Sequence, residues 1–353
     1  MLKSKLGDIK HYLVGYLKNR KMYAQYLQDT VFICGAPEYG NLGDQAIFCA
    51  EYAMLKQLLP DRKIVIIPEL QMRDHLLCIR RFTNRYGNLC AFLGGGNFGE
   101  LYKFQETNRL RYVKALKKAH LIVFPQSIDY QENSEALLRA KKIYESHPSL
   151  HLFVREKKSE NKRIAFFPKC RGALVPDIVL SYRPKIQKCQ REGVIFCTRS
   201  DKERNQVTGN YLQELEKCAI SVFNSTRHID TYSETFRKPY TQQKEQLQSF
   251  WQTFSETELI ITDRLHGMIF ALITGTPCIA LDNSTGKVGS LYQTWLQDSH
   301  VVFVNDERSL EKAKEYIQAK NYSSVDSDFR ATLDAGFAPL ENVILSFKEE
   351  KRK

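Results

Sequence analysis

At 353 residues the chain is long enough for two compact domains rather than one. Hydrophobic residues at 43% and charged residues at 26% match ordinary globular usage and exclude a disordered polypeptide, and no apolar run reaches the roughly 18 residues of a bilayer-spanning helix. The 52 Lys and Arg against 40 Asp and Glu leave a net charge of +12, which favours acidic partners: phosphate-bearing small molecules, anionic lipid or nucleic acid.

The first 26 residues carry Lys3, Lys5, Lys10, Lys18, Arg20 and Lys21 against Asp8 alone. Leu2, Leu6, Ile9, Leu13, Tyr16 and Leu17 recur among them at helical spacing, which predicts a basic amphipathic helix. Such a helix either packs on the body with its charges solvated or touches an anionic membrane. The segment has neither the apolar core nor the cleavage site of a secretory signal. Short apolar runs then alternate with helical patterns, the mark of parallel sheets covered by helices. Strands are predicted at Thr30–Cys34, Lys63–Ile67, Cys90–Leu93, Leu121–Phe124 and Leu150–Val154, with helices near Asp44–Leu59, Thr107–Ala119 and Glu132–Ser146. The basic, proline-containing stretch Ser181–Glu192 reads as an interdomain linker. A second series follows, with strands at Val194–Cys197, Ile220–Phe223, Leu259–Thr262, Cys278–Leu281 and Val301–Val304, and helices near Glu203–Lys217, Thr241–Phe254, Leu265–Thr274 and Leu310–Ala319. The expected fold is α/β: two Rossmann-like domains, residues 27–185 and 186–353, facing a central cleft, with 1–26 as a separate segment and a helix at the C-terminus. Nine scattered cysteines without a Cys-x-x-Cys pair point to a reducing cytoplasm and to no metal or disulfide framework. The cations are spread over the whole chain with no nucleic-acid-binding signature, so nucleic acid is not expected as a partner.

Ligands of such sheets bind beyond the carboxyl ends of the strands, so the loops there are the places to search. The first such loop, Gly35-Ala-Pro-Glu-Tyr-Gly-Asn41-Leu-Gly-Asp44, permits a tight turn, with Asp44 placed to cap the next helix; it suits a phosphate or a sugar hydroxyl, or serves only as a turn. Three consecutive glycines in Leu93-Gly-Gly95-Gly96-Asn97 imply close backbone approach, to a ligand or to a neighbouring element. Gln126 and Ser127 end the fourth strand as hydrogen-bonding candidates, and Arg155 ends the fifth as a clamp for carboxylate or phosphate, or as a partner of Glu156 or Glu160. The densest cluster is Asp263-Arg264-Leu265-His266-Gly267, where an imidazole with Asp and Arg close by opens a helix and can exchange protons near neutral pH. Lys287, in the Gly-containing loop after the next strand, reads alone as a surface lysine, or supplies a second cation for the same anion.

Together these motifs resemble the polysaccharide pyruvyl transferase family. The residues that carry the likeness are Gly40-Asn-Leu-Gly-Asp44, Leu93-Gly-Gly-Gly-Asn97, Arg155-Glu-x-x-Ser159, Asp263-Arg-Leu-His-Gly267 and Asp282-(x4)-Lys287, in family order over roughly residues 30–300. Glu156 departs from it, since the family more often shows Asp there. The resemblance implies a GT-B-like fold and transfer of enolpyruvate from phosphoenolpyruvate to a sugar of an exopolysaccharide, capsule or cell-wall repeat unit, which forms a cyclic ketal and releases phosphate. It implies phosphoenolpyruvate binding by Arg155, Arg264, Leu265, His266 and Lys287, with catalysis by His266 and Arg155. The acceptor side then falls to Asn41, Asp44, Gly95, Gly96, Asn97 and Gln126. The donor is a substrate, so no cofactor and no metal are expected. A lipid-linked acceptor would place the protein in the cytoplasm, peripheral to the inner membrane face. Two rivals share the fold: a glycosyltransferase using a nucleotide-sugar, which would bind UDP- or GDP-sugars instead, and a non-catalytic glycan-assembly subunit, against which the intact Arg155, His266 and Lys287 argue.

Overall fold

The computed structural model describes residues 2–26, 29–187, 189–199, 206–322 and 327–349. In chain order the principal elements are α1 (Leu2–Tyr23), β1 (Val31–Ala36), α2 (Leu42–Leu58), β2 (Ile64–Pro68), α3 (Met72–Tyr86), β3 (Leu89–Phe92), β4 (Gly95–Gly99), α4 (Lys103–Ala115), β5 (His120–Asp129), α5 (Glu135–Tyr144), β6 (Leu150–Val154) and α6 (Lys157–Phe166). After them come β7 (Val194–Cys197), α7 (Gln206–Val222), β8 (Thr226–Ile229), α8 (Gln243–Ser255), β9 (Leu259–Thr262), α9 (Leu265–Thr274), β10 (Cys278–Leu281), α10 (Lys287–Leu291), β11 (Val301–Val304), α11 (Glu307–Ala319), α12 (Ser327–Ala335) and α13 (Ala338–Glu349). The chain is mixed α/β, as expected, and divides into two compact units. The first holds residues 1–38, 47–178 and 337–353; the second holds 39–46 and 179–336. No helix among the described residues is long and apolar enough to cross a membrane, and the nine cysteines form no disulfide.

The first unit is built on a parallel sheet in the order β2-β1-β3-β5-β4, with β6 also paired to β5. Its strands are apolar on both faces because helices cover both faces; Phe32, Ile33, Leu121, Ile122 and Val123 are all inaccessible to solvent. Edge-to-face aromatic packing of Phe98, Tyr130, Tyr144 and Phe167 fills one side. The second unit has a five-stranded parallel sheet, β11-β10-β9-β7-β8. The largely apolar helix α9 packs its Phe270 against Trp251 and Phe254 of α8.

Several predicted elements move. Ile220–Phe223 is not a strand but the end of α7 and the residue after it; the strand is β8, whose sequence Thr-Arg-His-Ile is polar because it lies at the sheet edge and is largely exposed. The expected helix Glu203–Lys217 begins at Gln206 within the described residues, and residues 203–205 lie outside them. α3, α6, α10, α12 and β4 have no counterpart among the predicted elements. The glycine-rich β4 pairs with β5 through Gly95, Phe98 and Gly99. Gly99 sits at φ +147°, and a Cβ there would collide with the Asp129 carbonyl. A Cβ on Gly94 would lie 2.7 Å from the Pro125 carbonyl. The close approach signalled by the glycine run is therefore to a neighbouring strand. Ser181–Glu192 is part of the second unit: Tyr182 lies against Trp251, the Gln187 amide donates to Gln252, and Arg191 donates to the carbonyls of Ser255 and Gly275. The units part at Ile178/Val179, and α13, expected with the C-terminal domain, belongs to the first unit, where Phe347 packs 4.7 Å from the His120 ring.

The N-terminal helix packs on α3. Gly15 leaves room for the Asp74 backbone, Tyr23 Oη bonds His75 Nδ1 at 2.9 Å, and Arg81 donates to Tyr16 Oη at 2.8 Å. Of the predicted apolar face, Tyr16 turns inward while Leu13 and Leu17 stay exposed, because tyrosines at 12, 16 and 23 form the packing stripe.

Candidate functional site

The segment Tyr39–Ala46, a short loop and the first turn of α2, comes from the N-terminal part of the sequence but belongs to the second unit. The backbone there accounts for it: Leu42 N donates to Thr231 O at 2.8 Å, Ser233 N donates to Gly40 O at 2.9 Å, and Asn41 bridges Tyr232 in antiparallel fashion. A Cβ at Gly40 would strike the Ser233 carbonyl, so only glycine fits. Gln45, fully buried, donates to Tyr39 O and Phe236 O at 2.8 Å each. Asn41, not Asp44, caps α2, with Oδ1 accepting the Gly43 amide at 2.9 Å. Asp44 lies in the first turn and receives Asn41 Nδ2 at 2.8 Å and Tyr39 Oη at 3.0 Å. Asn41 and Asp44, expected on the acceptor side, therefore lie in the same unit as His266.

His266 is the second residue of α9, and its ring lies directly against Gly43: a Cβ on Gly43 would overlap Nδ1. The turn that presents it is fixed from below. Thr262 Oγ1 donates to Cys197 O at 2.6 Å and accepts the Arg264 amide at 3.0 Å, and Gly267 is small because Thr262 Oγ1 occupies the place of its Cβ. Asp263 is buried and accepts the Arg199 amide at 2.8 Å; burial pushes its carboxyl above the usual range, against the pull of that amide and of Arg264. Arg264 holds Asp230 at 2.6 Å, and Leu265 is buried in the first turn of α9. Lys287 opens α10 directly after Gly286, whose φ of +69° makes the corner. Asp282 braces that corner by accepting the amides of Asn283 and Gly289.

Arg199, Asp230, Arg264, His266 and Lys287 thus follow β7, β8, β9 and β10, at the carboxyl ends of adjacent parallel strands. Three cations, an imidazole and the amino end of the ten-residue helix α9 make this rim suited to a small polyanion that exchanges a proton. Among the described residues no group of three or more His, Cys, Asp or Glu could hold a metal ion.

Arg155 lies in the first unit and is 3% exposed. It donates to Ser127 Oγ at 2.9 Å and to Asp177 Oδ2 at 2.7 Å, with Glu156 Oε2 at 3.6 Å. Ser127 and Ser159 in turn both bond Glu156. The clamp read from the sequence grips carboxylates of its own chain. Gln126 is fully buried and donates to Leu93 O at 2.6 Å and to Asn97 Oδ1 at 3.1 Å; Asn97 also receives Arg109. Gly95, Gly96 and Asn97 open β4 just beyond the carboxyl end of β3, with Gln126 of β5 paired to Gly95. Asp177 and Glu51 carried no sequence signal, since a single carboxylate in a loop or a helix is unremarkable. Glu51 Oε1 accepts the Gly94 amide at 2.7 Å, and burial, with Asp177 nearby, pushes its carboxyl far above the usual range.

Comparison with known proteins agrees with the motifs. The family model described as polysaccharide pyruvyl transferase matches residues 41–285. General stress protein 30 of Bacillus subtilis (strain 168) is 30% identical over 321 residues, 86% of this chain and 90% of its own. Pyruvyl transferase 1 of Schizosaccharomyces pombe is 28% identical over 302 residues, 81% of this chain and 72% of its own. Among solved structures, a protein of uncharacterized function from Klebsiella pneumoniae shares the fold, with a TM-score of 0.52 at 17% identity over 82% of this chain and 98% of that one. The match spans both the Asn41–Asp44 loop and the His266 turn that the second unit brings together, and the chain belongs to the polysaccharide pyruvyl transferase family.

Proposed function

We propose that the protein transfers the enolpyruvyl group of phosphoenolpyruvate to a sugar of an exopolysaccharide, capsule or cell-wall repeat unit, with His266 carrying the proton. One sugar hydroxyl adds to C2 while C3 takes up a proton and becomes a methyl group. A second hydroxyl then displaces phosphate and closes the cyclic ketal; of the two hydroxyl protons, one is accounted for on C3 and the other leaves with phosphate. The donor carries a carboxylate and a phosphate, which Arg264, Lys287 and the start of α9 are suited to hold. The observation that carries this reading is the imidazole seated on Gly43 at a strand-end rim populated by cations. The name borne by the fission-yeast relative supports the same reaction class. In this reading the acceptor is lipid-linked and the protein works in the cytoplasm, peripheral to an anionic membrane.

Calorimetry separates this from nucleotide-sugar chemistry. Phosphoenolpyruvate is expected to bind and UDP- and GDP-sugars are not; binding of the nucleotide-sugars alone would replace the proposal. Chelators are expected to leave phosphate release unchanged, since no step calls on a metal.

Gly43 provides a second check. Gly43→Ala places a methyl group where the His266 ring now lies, so the imidazole must move. A displacement of this kind is expected to cost about 10²-fold in turnover. A variant that releases phosphate within twofold of the parent rate would show that the ring position is immaterial.

A further inference from the structure

The first unit carries a second concentration of cations, on residues that the site does not use. A groove of about 540 Å³ lies between α1 and α3, and among its described lining residues are Arg20, Lys21, Arg81 and Arg85, with Tyr16 and Tyr86 and no carboxylate. A concavity lined by one sign of charge concentrates counter-ions. Two of the exposed cations have fixed partners: Arg81 donates to Tyr16 Oη at 2.8 Å, and the Arg85 guanidinium sits 5.0 Å from the centre of the Tyr86 ring. Beside the groove, α1 turns Leu13, Val14 and Leu17 outward at 52%, 56% and 59% exposure. Lys18, Arg20 and Lys21 on the same helix are also exposed, and residues 12–26 contain no Asp or Glu. Positions 13, 17, 20 and 21 share one helical face, so the aliphatic pair Leu13 and Leu17 is followed by the cationic pair Arg20 and Lys21 along one outward ridge. Packing on α3 accounts for the tyrosine stripe of α1 and leaves this ridge uncovered.

We propose that this face docks on an anionic lipid bilayer. The groove cations receive phosphate head groups, while Leu13, Val14 and Leu17 enter the boundary between head groups and acyl chains. Aliphatic residues flanked by long cationic side chains suit that boundary, because the stems lie along apolar surface while the charges stay with the phosphates. Charge complementarity selects the partner, since nothing on the ridge or in the groove would repel an anionic surface. The inference rests on the membrane-contact part of the proposed function and needs no pyruvyl transfer.

The test is co-sedimentation of the full chain with phosphatidylglycerol-containing vesicles and with pure phosphatidylcholine vesicles. Binding is expected only to the anionic vesicles, and it should fall steeply as salt is raised. Lys21→Glu with Arg85→Glu is expected to weaken it at least about 25-fold, counting about fivefold for each cation lost. Leu13→Gln with Leu17→Gln, which leaves every charge in place, is expected to weaken it about tenfold or more through lost apolar insertion. No binding to anionic vesicles, equal binding to phosphatidylcholine, or unchanged binding by either double variant overturns the proposal. Phosphate release with a soluble acceptor is measured on the same variants and is expected to match the parent. Failure at the vesicles therefore leaves the catalytic reading standing, and loss of turnover in the parent protein leaves the vesicle result standing.

Discussion

Replacing His266 with alanine is expected to lower phosphate release from phosphoenolpyruvate by about 10²- to 10⁴-fold, the range lost when a positioned acid–base group is removed. His266→Gln should lose about as much, because glutamine fills similar space and forms hydrogen bonds but does not titrate near neutrality. That comparison separates proton transfer from simple occupancy beside Gly43. The imidazole is half-buried at the first turn of α9, and the turn is held independently by Thr262, Asp263 and Gly267, so the circular dichroism spectrum should be unchanged. Near-parental turnover in the alanine variant would remove His266 from the mechanism.

Arg155 should behave quite differently. Its guanidinium is buried against Asp177 and Ser127, with Glu156 alongside, so Arg155→Ala leaves a carboxylate without its cation in a dry setting. Breaking such a pair from one side costs about 3–5 kcal/mol, and Asp177→Ala should cost a similar amount from the other side. Because the two groups are in contact, the double variant should lose less than the sum of the single losses. Urea unfolding of the three variants measures this. If Arg155→Ala unfolds at the parental midpoint yet no longer binds phosphoenolpyruvate, the residue is a ligand contact and not a brace of the first unit.

Much of the fold could be read in the sequence because parallel strands buried on both faces leave uninterrupted apolar runs. Residues 31–34, Val194–Cys197, residues 259–261 and Cys278–Leu281 are such runs. The misreadings share one cause, since burial there is decided by neighbours and not by composition. Thr226–Ile229 is polar yet pairs at an edge, Ile220 and Val222 are apolar yet end a helix, and Gly95–Gly99 becomes a strand only because β5 runs beside it. The site was legible to a similar degree. Residues 263–267 stand out because polar groups after an apolar strand have few purely structural uses, whereas Lys287 alone reads as a surface lysine and gains meaning only beside them. The partners of Arg155 did not stand out: Asp177 lies 22 residues along the chain, and only the folded sheet brings its carboxylate to the guanidinium. Nor does linear order reveal that residues 39–46 are held by the backbone of Thr231 and Ser233.

That last arrangement bears on how the molecule can be made. The second unit needs eight residues supplied more than a hundred positions earlier, and the first unit needs the final helix, whose Leu340 and Ile344 are fully buried. A fragment starting at residue 179 would lack the strip that covers its 231–236 backbone, and one ending at 178 would expose the seat of α13. During synthesis the first unit cannot close until α13 has been made, and residues 39–46 must wait for 179–336, so chains truncated before α13 should be targets for chaperones and proteases.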